Sequence, residues 1–92
     1  MGLLRLPVRR EMIGTLPEIM RGAGFSLLRM EKGDASIHYF FKHPKRNASI
    51  SFQLIDASDG NSSFLTMRLS KAFKEVLSIL RKADVFESTN PN

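Results

Sequence analysis

The sequence contains no cysteine and no tryptophan. Without thiols, disulfide frameworks, thiolate zinc sites and cysteine nucleophiles are all excluded, and a reducing compartment fits. Histidine is almost as scarce, His38 and His43 being the whole supply. No long hydrophobic run is present: the apolar stretch opening at Met1 meets Arg9, Arg10 and Glu11, well short of the ~20 residues a membrane-spanning helix needs. The stretch also lacks the apolar centre of a signal peptide. The expected location is therefore cytoplasmic, with the nucleus or the membrane periphery as alternatives. Acidic residues are outnumbered, nine against fourteen Lys and Arg, which leaves a formal charge of +5. Such a surplus attracts phosphate-bearing partners, although a charge of this size also suits any soluble small domain.

What is present describes a folded chain. With 42% hydrophobic and 25% charged residues in 92, the composition is that of one globular domain with one core. Val8, Met12, Leu16, Ile19, Met20 and Ala23 recur at steps of three and four, which predicts a helix over 8–23. Gly14 and Pro17 interrupt that pattern. Thr15 and Glu18 have capping-box spacing, so the alternative is an irregular lead-in over 8–14 and a helix that begins at Leu16. Gly24 is placed to stop the helix in a left-handed conformation, with Phe25 folding back on its last turn.

After Gly24 the period drops to two. Strands are expected over 25–31, 36–42, 48–55 and 63–69, joined by a tight turn at Lys32-Gly33-Asp34, a basic loop at 43–47 and a polar turn at 56–61. A closing helix carries Ala72, Phe73, Val76, Leu77, Leu80 and Ala83 on one stripe, with Ser70 as its expected N-cap. The predicted architecture is α+β, in the order α-β-β-β-β-α, with a four-stranded antiparallel sheet and both helices on one face. Residues 1–7 form a lead-in, 8–86 the domain and 87–92 a flexible tail.

Few residues converge on catalysis. His38 and His43 fall on opposite faces of their strand, with no carboxylate near in sequence to orient them, and Asp56 and Asp59 sit where aspartate serves turns. Gly22-Ala23-Gly24 closes a helix rather than opening one, so it is no phosphate cradle. Nothing indicates a cofactor or a metal. The stronger signal is the outward sheet face: Phe40 and Lys42 on one strand, Phe64 and Arg68 on another, and Lys45 and Arg46 at the rim. Aromatics among cations suit an anionic partner, whether acidic lipid, a protein surface, RNA or single-stranded DNA. The alternative is that the N-terminal segment covers Phe40 and Phe64 as a second small core.

The helix entering Gly24-Phe25, the strands, the turn Lys45-Arg46-Asn47 and the run Phe64 to Ser70 leading into Phe73-Lys74 resemble the kinase-associated-1 domain. That module closes checkpoint, microtubule-affinity-regulating and plant calcineurin-B-like-interacting kinases. The resemblance covers about residues 6–86 and includes Arg5-Leu6-Pro7-Val8-Arg9. It implies a non-catalytic regulatory module that binds anionic phospholipid or a protein kinase surface. A second resemblance, over Ile19 to Pro44, is to HicA toxin ribonucleases, whose catalytic histidine falls at His38. Ser36-Ile37 depart from the glycine and serine of that motif. This likeness implies a general acid/base role for His38 in RNA cleavage, with Lys42, Lys45 and Arg46 holding phosphates.

Overall fold

Alternation of apolar and polar residues starts earlier in the chain than expected. In the computed structural model, which describes residues 2–56 and 63–87, Leu3–Val8 is a strand, β1. Its even-numbered side chains turn inward and Val8 is fully buried. The lead-in is thus part of the sheet, and the sheet has five strands among the described residues, not four. A 3-10 helix, Arg10–Thr15, follows and carries Gly14; the α-helix α1 runs only over Leu16–Gly22, with Pro17 in its first turn. Proline is tolerated there because the first amides of a helix have no partner inside it. The long helix over 8–23 is therefore corrected to strand, 3-10 turn and short helix. The capping box is absent too. The Thr15 hydroxyl donates to the Met12 carbonyl at 2.7 Å, and Glu18 pairs with Arg21.

The remaining elements are β2 (Ser26–Lys32), β3 (Ser36–His43), β4 (Ala48–Asp56), β5 (Ser63–Arg68) and α2 (Phe73–Lys82). Every strand pair is antiparallel, and the order across the sheet is β1-β5-β4-β3-β2. The expected turn over 56–61 and the tail over 87–92 lie outside the described residues, apart from Asp56 at the end of β4 and Glu87, whose amide donates to the Pro7 carbonyl. Ser70 is not a side-chain cap: α2 begins at Phe73, after a turn in which the Ser70 carbonyl accepts from the Phe73 amide.

Tyr39 and Phe41 of β3, Ile50, Phe52 and Leu54 of β4, and Leu65 and Met67 of β5 face inward. They meet Leu16 and Met20 of α1 and Val76 and Leu80 of α2 in one core, which places both helices on the same side of the sheet.

Both helices end in the same way. After α1 the Phe25 amide donates to the Met20 carbonyl and the Gly24 amide to Arg21; after α2 the Val85 amide donates to Leu80 and the Asp84 amide to Arg81. Each motif turns through a left-handed residue, Gly24 at φ 98° and Asp84 at φ 59°. Each also returns an apolar side chain, Phe25 or Val85, to the core. The chain leaving α2 then runs against β1. The Arg9 amide donates to the Val85 carbonyl, the Glu87 amide to the Pro7 carbonyl, and Val8 bridges Phe86. Arg9 reinforces the join, its guanidinium reaching both the carboxylate and the carbonyl of Asp84.

Candidate functional site

With both helices on one side, the opposite face of the sheet has no layer over it among the described residues. The N-terminal segment does not cover it; as β1 it extends the sheet beside β5. Register arranges the outward side chains in rows across the strands. Arg5 stands opposite Thr66, Thr66 opposite Gln53, Gln53 opposite His38, and His38 opposite Glu31, a line through all five strands. A neighbouring line carries Leu3 opposite Arg68 at one end, and Ser51, Phe40 and Arg29 at the other.

The two aromatic residues of this face hold arginines. The Arg29 guanidinium lies 4.1 Å from the centre of the Phe40 ring, and that of Arg5 lies 4.3 Å from the centre of Phe64. His38 stacks beside Phe40 at 4.3 Å. A cation over a ring is attracted by its quadrupole, and the flat guanidinium keeps its N–H groups directed outward in the ring plane. Phe40 thus has both an imidazole and a guanidinium of the protein itself against its ring. Arg68 and Lys42 complete the set, and neither is in an ion pair among the described residues. Among the described residues the one carboxylate of the face is Glu31, 3.1 Å from Arg29.

Two shallow depressions mark the surface. One of about 260 Å³ is lined by Leu28, Phe40, Ser49, Ser51, Arg68 and Ser70 among others. The second, about 410 Å³, is bordered by Leu3, His38, Ser51, Gln53, Thr66 and Arg68. Ser51 and Arg68 belong to both, which sets them side by side on this face. At its margins Leu3 is 67% and Leu28 61% exposed.

The structure thus brings Phe40, Lys42, Phe64 and Arg68 to one face. Lys45 and Arg46 lie in the loop between β3 and β4, where Arg46 bonds Glu75 of α2 at 2.5 Å, on the helical side of the molecule. That hydrogen bond holds the Glu75 carboxyl below the usual carboxylate range and the Arg46 guanidinium above its own. His43 points to the helical side as well, edge-on to Phe25. His38 lies on the open face with Glu31 across from it. Among the described residues no three of His, Asp and Glu gather closely enough to hold a metal ion.

Arg5 and Arg29 escaped the sequence reading. Arg5 was hidden in the lead-in, although the alternation of Leu4, Leu6 and Val8 against Leu3, Arg5 and Pro7 is a strand signal. Arg29 was hidden by a β-bulge: register shifts between Leu27 and Arg29, so simple alternation from Ser26 assigns it to the wrong face. A further basic strip, Lys74, Arg81 and Lys82, borders a groove along α2 on the helical side. No family model matches the chain, no curated protein matches its sequence, and no solved structure matches it.

Proposed function

We propose that this chain is a non-catalytic binding module whose open sheet face docks on acidic phospholipid at a membrane surface. The observation that carries the reading is the pair of arginines laid on Phe40 and Phe64. With Arg68 and Lys42 they make a broad, fixed array of donors, suited to anionic head groups and opposed, among the described residues, only by Glu31 on this face. A ring already in contact with its own protein's side chains is a poor platform for a nucleic-acid base, which needs an open π-face. It is instead a support that keeps a guanidinium ordered before the partner arrives, which lowers the entropy lost on binding. Leu3 and Leu28 beside the cations add apolar contacts of the kind that enter a lipid interface. The resemblance to kinase-associated-1 domains supports the same reading.

Sedimentation with vesicles of phosphatidylserine in phosphatidylcholine, against phosphatidylcholine alone, tests it. Binding should require phosphatidylserine and weaken with salt. The combined Arg5→Ala, Arg29→Ala and Arg68→Ala chain should bind ~100-fold less tightly, at roughly 1 kcal/mol for each cation near an anionic surface. Equal sedimentation with both vesicle types, or no effect of the three substitutions, refutes the assignment. An oligonucleotide shift assay beside it marks nucleic acid as the ligand if only RNA or DNA is retained. RNA cleavage lost on His38→Ala would make the chain a ribonuclease.

A further inference from the structure

β2 ends the sheet at the side away from β1. All seven of its residues are exposed, including Leu27, Leu28 and Met30, each at 45% or more. The helices do not reach over it, and one edge of its backbone has no neighbouring strand among the described residues. Open edges of this kind pair readily with another strand unless charge or irregularity prevents it. Here the charges decide which strand fits.

We infer that β2 pairs antiparallel with β2 of a second copy of this chain, in the register that sets Met30 opposite the partner's Met30. Beyond the bulge at Leu28, Arg29 and Glu31 point to the open face and Met30 to the helical side. A two-fold axis perpendicular to the sheet keeps each residue opposite one of the same facing, so it passes through Arg29, Met30 or Glu31. Centring on Arg29 opposes two guanidiniums, and centring on Glu31 opposes two carboxylates; like charges directly across a strand pair are destabilising. Centring on Met30 instead sets each Arg29 opposite the partner's Glu31, twice, and joins the two thioethers on the other side. Both charged side chains are solvent-accessible, at 63% and 58%, so the partner's Glu31 can meet the guanidinium of Arg29 while that group stays on the Phe40 ring. The product is a continuous ten-stranded sheet with both open faces on the same side. The bulge limits the regular part of the new ladder to Arg29–Glu31, so the contact is small and the dimer reversible. The contact shares Arg29 with the open face, whereas Glu31, the residue changed alone in the test below, takes no part in the proposed lipid binding.

Sedimentation velocity over a concentration series reads it out. The native chain should pass from monomer to dimer as concentration rises. Glu31→Arg alone should shift that transition at least tenfold upward in concentration, whereas the exchange Arg29→Glu with Glu31→Arg should restore it. Thermal melts confirm that the variants remain folded. A chain that stays monomeric throughout overturns the inference, as does a dimer indifferent to Glu31→Arg or an exchange that restores nothing.

Discussion

Gly24 joins α1 to β2 at a point where a side chain is doubly unwelcome. Its φ of 98° lies where residues other than glycine are strained, and a β-carbon there would fall 2.8 Å from Nε2 of His43. His43 has little freedom to give way, because its Nδ1 accepts the Lys45 amide at 3.2 Å and its ring meets Phe25 at 5.2 Å. Gly24→Ala should therefore lower stability by about 1–2 kcal/mol from backbone conformation alone, with the contact adding to it. Chemical denaturation of the two proteins measures the difference. Asp84 holds the corresponding place after α2 without a glycine, and its carboxylate has an ion pair with Arg9. Aspartate enters the left-handed region more readily than most residues.

The element that depends most on a distant part of the chain is β1, held by β5 on one side and by the segment after α2 on the other. Glu87→Pro removes the amide that donates to Pro7 at 3.0 Å and leaves the buried Val85 in place. The expected loss is about 0.5–1.5 kcal/mol, the net worth of one hydrogen bond. Hydrogen exchange should quicken at the Arg9 amide and remain slow in β3 and β4; uniform quickening, or none, would mean that the join does not anchor β1. This element also shows where the sequence was readable. β3, β4 and β5 were legible because Tyr39, Phe41, Ile50, Phe52, Leu54, Leu65 and Met67 alternate cleanly and all enter the core. α2 was legible from its apolar stripe. β1 was not, since Val8 also fits the helical spacing of Met12 and Leu16, and pairing with a strand some sixty residues away leaves no local mark. The candidate face was half legible: Phe40, Lys42, Phe64 and Arg68 follow from alternation, but Arg5 and Arg29 required β1 and the bulge. Arg46 was misjudged as a rim cation because its partner, Glu75, comes from another element.

At the scale of the molecule, charge is divided between two sides. The open face carries Arg5, Arg29, Lys42 and Arg68, and on the helical side Arg46 is joined to Glu75 and Arg9 to Asp84, beside the strip of Lys74, Arg81 and Lys82. These joins set the response to acid. The Glu75 carboxyl is held below its ordinary value of 4.5 by the hydrogen bond from Arg46, and that of Glu11 by backbone hydrogen bonding and then by Arg9. A carboxyl whose native affinity for protons is lowered adds stability above its unfolded value and loses it as pH falls through the native one. The melting temperature should thus hold steady from neutrality to about pH 5 and decline below about pH 4.5. Both groups lie at the surface, so the decline is modest. Arg46→Ala should remove the share due to Glu75, and a decline identical in that variant would show the pair to be without effect. No helix among the described residues is long and apolar enough to cross a membrane.

The join between β1 and the chain beyond α2 sets an order of events during folding. Leu3 finds its cross-strand neighbour at Arg68, and Val8 its bridge at Phe86. The first strand therefore stays unpaired until almost the whole domain has been synthesised, while β2, β3 and β4 already have one another. Closing such distant contacts slows folding relative to a chain built from local pairs. Until a nascent chain has been made as far as Phe86, Leu4, Leu6 and Val8 stay without the segment that closes over their strand.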